Sequence, residues 1–407
     1  MKEATDIVML ALARWDGPYS STAFSLAKEL ARKNRVFYID NPFTLKDVAT
    51  NLHKHQIQSR LTPLLTGRHV GKQIYNDNPN LINIRPKAVI PINFFPYGKL
   101  YSYLSRVNNH VVNQALRRAI REYDIEKFIF INSFNPFYLQ DVTEFKPELT
   151  VYHCVDNMAE SKYIGKHGKF LEAEAMREYD VTIATSKKLY EMASQYTRNA
   201  FCLPNAADFK HFQRAVYEPL LRPNELDGLE SKKIIGYIGH VDFRIDYELL
   251  NKLSRAHADK IILMVGPEHE SDKDKLERLP NVISTGKKPF EELPAYLKFI
   301  DCAIIPFLRN DLTASIYPLK LNEYLAAGKP IVTTGFSQDL EDFGNTIRIE
   351  NTPDSFIRGV QEEIVTDSDQ KREQRIQVAG HNTWTARVEA FWDMVSPYIK
   401  KEQPVYG

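Results

Sequence analysis

Along almost the whole chain, short runs rich in Ile, Val and Phe alternate with amphipathic segments of helical period. The first half predicts strands over 7–12, 35–39, 128–132, 150–155 and 181–185, with one more near 81–84, and helices over 22–33, 110–122, 169–178 and 187–195. The second half repeats the rhythm. Strands are predicted over 234–238, 261–265, 282–284, 302–307 and 331–333, with helices over 246–256, 290–299 and 318–327 between them. The apolar runs show little polar alternation, as expected of strands buried on both faces. Strand–helix alternation of this kind closes only as parallel sheets covered by helices, so the fold class is α/β.

Two such series in 407 residues predict two Rossmann-like domains. The boundary is placed after 203–208 (LPNAAD), ahead of a polar, proline-bearing connector at 218–233. The domains are thus 1–208 and 209–381, with a final helix over about 382–400 returning to complete the first. The irregular stretch 44–92 reads as an insertion. The tail over 367–399 reads as one helical pattern broken near 380–382.

A formal net charge of +1 leaves no global field to recruit nucleic acid. No apolar run approaches the roughly 18 residues that span a bilayer, and the acidic start MKEATD does not read as a signal peptide. Cys154, Cys202 and Cys302 lie far apart among apolar strand residues, as buried thiols of a reducing cytoplasm would.

The segment 301–334 carries most of the chemistry. It runs strand, polar loop, a helix opening on Pro318, and a second strand. Pro318 suits a first helical position. Lys320 and Glu323, spaced i,i+3, share one face, with Leu321, Tyr324 and Leu325 opposite as core. A helix N-terminus beside a strand's carboxyl end is a phosphate site. Glu323, about 7 Å along the axis from the helix start, is offset to suit a ribose. An ordinary i,i+3 ion pair is the alternative. In 234–250 (IIGYIGHVDFRIDYELL), Gly239 permits close backbone approach and Arg244 offers a bidentate cation; a purely structural strand–turn–helix stays open. No GxGxxG and no GxxxxGK[ST] occurs, which excludes the usual dinucleotide and P-loop signatures.

In VYHCVDN, strand alternation makes His153 an interior histidine, while Asp156 falls at a strand's carboxyl end, as a base or as a turn cap. RWDGPYSS follows the first strand. There Trp15 offers a flat surface for a sugar, and Gly17 leaves room for a ligand; a turn without function is the alternative. The stretch 91–106 sets five aromatics beside Lys99 and Arg106, readable as a membrane or acceptor surface or as a core-facing helix. The DxD spacings at 272–274 and 367–369 read as solvated turns, the eleven histidines show no zinc spacing, and no GxSxG elbow occurs.

These residues resemble GT-B glycosyltransferases, in particular the bacterial family-4-like group that includes teichuronic-acid and other surface-polysaccharide enzymes. The resemblance rests on RWDGPYSSTAFSLAKEL, VYHCVDN, VTIATSKKLYE, LPNAADFKHF, IGYIGHVDFRIDYELL, LMVGP, ELPAYLKFIDCAIIPF, PLKLNEYLAAGKPIVTT and HNTWTARVEAFW. It implies two Rossmann-like domains facing a cleft, the second holding a nucleotide-diphosphate sugar and the first a glycan or lipid-linked acceptor. By that resemblance Glu323 binds ribose, and Arg244 and Lys320 neutralise the diphosphate. Asn205–Asp208 match the PNGVD-type element between domains, and Trp384 and Trp392 anchor the last helix. The donor set it implies is Gly17, Gly239, Arg244, Gly266, Lys287, Ser315, Tyr317, Pro318, Leu319, Lys320 and Glu323. The acceptor set is Trp15, Asp16, Asn135 and Asp156, and the catalytic set is Asp156, Arg244 and Lys320. Ser315 stands where many members carry a sugar-contacting glutamate, Pro318 and Ala206 replace glycines, and Asp156 stands near a family histidine.

The expected activity is sugar transfer to a hydroxyl acceptor, with retention favoured, Asp156 being the base of an inverting route. No metal or cofactor is expected, and no nucleic-acid partner. The expected location is the cytoplasm, with peripheral contact at the inner face of the membrane left open. A nucleotide-sugar 2-epimerase or hydrolase of the same fold, or a non-catalytic nucleotide-sugar-binding protein, are the alternatives.

Overall fold

The computed structural model describes residues 5–17, 21–68, 71–75, 78–160, 164–269, 275–276 and 279–400. Pro18–Ser20 of the first loop and the DxD at 272–274 lie outside them. The chain divides into two compact units, Met1–Pro204 with Val388–Gly407, and Asn205–Arg387. The first break thus falls at Pro204 rather than after Asp208. Ala207 packs in the second unit's core and pairs with Thr383.

In the first unit the strands are β1 (Asp6–Ala11), β2 (Val36–Ile39), β3 (Gly71–Tyr75), β4 (Asn78–Ile84), β5 (Phe128–Ser133), β6 (Leu149–Cys154), β7 (Val181–Ala184) and β8 (Ala200–Cys202). They form one sheet in the order β3-β4-β2-β1-β5-β6-β7-β8. Every pairing is parallel except β3 with β4. Every residue of β1, β2, β5, β6 and β7 is buried, so these strands stand out in sequence as apolar runs. The edge strands β3 and β8 did not stand out, because neither has a fully buried residue to set up a pattern. The insertion folds as three short helices and the β3–β4 hairpin, with a small core of Phe43, Val48, Ile57 and Leu64.

The second unit holds β9 (Ile234–Ile238), β10 (Ile261–Val265), β11 (Val282–Ser284), β12 (Cys302–Ile305), β13 (Ile331–Thr334) and β14 (Arg348–Glu350), in the order β11-β10-β9-β12-β13-β14, all parallel. The chain steps from β9 outward to β10 and β11, then returns to the other side of β9 as β12. That makes β9/β12 the point where the winding reverses, and ligands of open α/β sheets bind at the carboxyl ends of strands there.

The last helix, Trp384–Val395, begins in the second unit and ends in the first. Its fully buried residues are Phe391 and Val395; Trp384 and Trp392, expected as anchors, are only half-buried. Cys154 and Cys302 are buried free thiols, whereas Cys202, on the edge strand β8, is partly exposed.

Candidate functional site

Two loops meet at the β9/β12 end of the second sheet. The loop after β9 runs from Gly239 to the helix Tyr247–Ala256, which Asp246 caps by accepting from Leu249 N. The loop after β12 leads to the helix Leu319–Ala326. The loops are joined by backbone hydrogen bonds, Asp246 N to Pro306 O (2.8 Å) and Leu308 N to Arg244 O (2.8 Å). Tyr324, fully buried on the second helix, accepts from Ile238 N (2.8 Å) and donates to Ile238 O (3.1 Å). One hydroxyl thereby fixes the second turn of this helix against the end of β9.

This clamp brings Lys320 over Gly239. A Cβ on Gly239 would lie 2.0 Å from Lys320 Cε and 2.7 Å from Nζ. Gly239 also has φ 150°, a backbone region that residues with a side chain rarely enter. Gly266 (φ 146°), after β10, backs it up, since a Cβ there would lie 2.0 Å from Gly239 O. The two glycines thus let the lysine stem lie directly on the backbone.

Lys320 Nζ sits 5.5 Å from the Tyr237 ring centroid and 5.7 Å from that of Phe307. The two aromatic faces attract the ammonium weakly and exclude water from it. Burial, with Arg244 adding to it, pushes the lysine down to about 8. Burial pushes Glu323 up to about 7, against the attraction of Lys320. No hydrogen bond or ion pair within 4.0 Å engages either side chain among the described residues, so the ordinary i,i+3 ion pair is not formed. A half-buried ammonium and carboxylate on one helix face, with no hydrogen-bond or ion-pair partner among the described residues, are arranged to receive a ligand that supplies both.

Arg244 differs from the bare cation that its sequence suggested. Its Nε lies 2.9 Å from Asp242 Oδ1, and its Nη2 lies 2.7 Å from Asp242 Oδ2, a forked pair that fixes the guanidinium near Phe307. Burial raises the Asp242 carboxyl, but the hydrogen bonds and charge of Arg244 outweigh it and hold the group below the usual range. His240 Nδ1 lies 3.9 Å from Asp242 Oδ2. Burial, then the nearby cations, push this histidine below its ordinary value. Asp242 and His240 were missed in sequence, although Asp two residues before Arg is a visible signal for a local fork.

Pro318 proves to be the residue before the helix rather than its first turn. Tyr317 is buried, its hydroxyl accepting from Asn322 Nδ2 (3.3 Å), and Ser315 is buried with its hydroxyl on Leu312 O (2.6 Å). Ser315 is thus turned into the loop. Leu319 is half-buried, and Lys287, beyond β11, is exposed.

Residues 232–364, which contain this whole arrangement, match the family model described as Glycosyl transferases group 1. A stretch of 104 residues is 36% identical to a Bacillus subtilis (strain 168) protein named "Putative teichuronic acid biosynthesis glycosyltransferase TuaH", a match spanning 25% of this chain and 26% of that relative. Among solved structures, sucrose-phosphate synthase from Thermosynechococcus elongatus aligns with a TM-score of 0.68 at 13% identity, over 97% of this chain and 98% of its own. A trehalose-6-phosphate structure from E. coli, bound with UDP-2-fluoro glucose, gives 0.67 at 11%, over 98% and 100%. The fold is GT-B.

Within the GT-B fold's first unit, the residues expected at an acceptor are at strand ends but heavily engaged. Asn135 is fully buried, its Nδ2 donating to Ala11 O and Asn41 Oδ1 (both 3.2 Å), which ties β5's loop to β1. Asp16 accepts from Arg60 Nη1 at 2.7 Å, and Arg60 reaches Asp40 at 3.4 Å. Trp15 N donates to Asp40 Oδ1, and Gly17 N to Arg14 O, so this loop is a braced turn. Asp156 is exposed just beyond β6, with Oδ1 on Asn157 N (2.8 Å). His153 is interior, 3.0 Å from Ser133 Oγ, and burial pushes it down to about 4. Among the described residues, no group of three or more His, Cys, Asp or Glu is placed to hold a metal ion.

Proposed function

We propose that this chain is a glycosyltransferase that moves a sugar from a nucleotide-diphosphate sugar to a hydroxyl acceptor. The observation that carries the reading is the unpartnered Lys320–Glu323 pair at the β9/β12 switch point, inside the segment that matches the group 1 family. A diphosphate supplies the anion that Lys320 lacks, and a ribose diol supplies the donors that Glu323 lacks. Arg244, fixed by Asp242, faces the same space from the β9 side of the joined loops. As the sugar–oxygen bond breaks, charge grows on the leaving diphosphate. Lys320, Arg244 and the helix start offset that charge in a partly dehydrated setting, where such stabilisation is strongest. The second unit is then the donor domain and the first the acceptor domain, with Asp156 as the candidate acceptor-side carboxylate. The acceptor we propose is a glycan or lipid-linked glycan of a surface polysaccharide, in keeping with the printed name of the Bacillus relative.

The test is a thermal-shift series with UDP-, GDP-, dTDP- and ADP-sugars, since a ligand that binds only the folded state raises its melting temperature. One nucleotide class should raise it, and Lys320→Ala and Glu323→Gln should each reduce the rise. A flat response to all four would overturn the proposal.

A further inference from the structure

Away from the donor site, the first unit exposes a cluster of large apolar side chains. Phe94 (66%), Tyr97 (65%), Tyr103 (60%) and Phe170 (62%) are mostly exposed, and so is Leu100 (55%). They come from two elements, the loop and first turns of the helix Lys99–Glu122, and the first turns of the helix Gly165–Glu178. The exposure belongs to a braced structure. Lys166 Nζ donates to Phe94 O (2.8 Å), His167 Nε2 lies 3.0 Å from Phe95 O, and the His167 ring stacks on Tyr101 at 3.9 Å. Tyr97 and Phe170 have their ring centroids 6.4 Å apart, so the two elements present one continuous patch. Holding this much apolar surface in water is unfavourable, and contiguous patches of this kind mark interaction sites.

Cations predominate around the patch, against an exposed Glu160 ahead of the second helix and an exposed Glu174 one turn beyond Phe170. Lys99, Arg106, Lys166 and Lys169 are all exposed. No Asp or Glu occurs between Asn78 and Arg121, and none in the helix Gly165–Glu178 before Glu172, which is itself buried. Protein–protein interfaces are depleted in lysine, whereas surfaces that lie on membranes pair lysine with aromatic side chains. Tyrosine belongs at the headgroup level, with its ring among the acyl chains and its hydroxyl in water.

We propose that this patch docks the first unit on an anionic lipid bilayer, with Phe94, Tyr97, Leu100, Tyr103 and Phe170 entering the interface and the four cations meeting acidic headgroups. The proposal concerns the first unit alone and does not depend on the donor-site reading.

The experiment is co-sedimentation of the full chain with phosphatidylcholine vesicles, with and without phosphatidylglycerol. The wild type should pellet with the anionic vesicles and be released as salt screens the contact. Lys99→Glu/Lys169→Glu should weaken partitioning by roughly tenfold or more, as each basic residue near an anionic surface contributes appreciably. Phe94→Ser/Tyr97→Ser/Phe170→Ser should weaken it comparably. Both variants should keep the wild-type circular dichroism spectrum and melting temperature, because the altered groups are exposed. Equal pelleting with both vesicle types would overturn the proposal, as would variants that pellet like the wild type. Concentration-dependent self-association that the aromatic variant abolishes, without vesicle binding, would overturn it in favour of a second copy of the chain.

Discussion

Replacing Gly239 with alanine isolates the contact on which the donor site depends. The new Cβ would lie 2.0 Å from Lys320 Cε and 3.1 Å from the Tyr237 hydroxyl. It would also sit on a backbone at φ 150°, which costs roughly 1–3 kcal/mol for a residue with a side chain. For a unit of this size that corresponds to a fall of about 2–12 °C in melting temperature. The Lys320 stem is flexible and can leave, so the fold should survive with the ammonium displaced from the Tyr237 and Phe307 faces. A hydrogen bond to a charged group contributes about 1.5–3 kcal/mol. Nucleotide-sugar affinity, read by isothermal titration, should therefore drop by about ten- to 150-fold. In a Lys320→Ala background the same change should cost almost no further affinity, because the group it displaces is already gone. Wild-type affinity in Gly239→Ala, or losses that simply add in the double variant, would refute the reasoning.

Four further outcomes are expected. Gly266→Ala, whose Cβ would strike the Gly239 carbonyl at 2.0 Å rather than a flexible side chain, should lower the melting temperature more than Gly239→Ala does. Tyr324→Phe strands the Ile238 N–H and C=O in the core and should cost about 1–3 kcal/mol in denaturant unfolding, with weakened nucleotide binding as the helix that carries Lys320 and Glu323 shifts. Affinity for a nucleotide sugar should peak between about 7 and about 8 on the pH scale. It falls below as Glu323 takes a proton and above as Lys320 loses one, and Glu323→Gln should remove the acid limb in pH-dependent titrations. Arg60→Ala leaves Asp16 and Asp40 unpaired and should cost about 3–5 kcal/mol at neutral pH. Asp40 is already pushed up to about 6 by burial, against the pull of Arg60, so the loss should shrink in melting curves taken below that pH, where Asp40 takes a proton.

Much of the scaffold was legible because its central strands are buried on both faces. β9, β10 and β11 run over the ranges read from the apolar pattern, and β5, β6, β7, β12 and β13 differ only at their ends. β3, β8 and β14 were not legible, since an edge strand that is partly exposed needs no apolar run. Exposure of the aromatics at 91–106 was equally undecided, as the same residues suit a core-facing helix.

The sequence by itself determined the alternation that makes two parallel sheets, and the i,i+3 spacing that puts Lys320 and Glu323 on one helix face. Helical period is a local property, so a string of residues carries it. The tertiary structure decided that this pair is not joined, that Asp242 holds Arg244, and that Gly239 lies beneath Lys320. Those facts depend on Tyr324 clamping one helix to the end of a strand distant in sequence. Contacts set by the crossing of separate elements leave no periodic mark in the chain, and only packing resolves them.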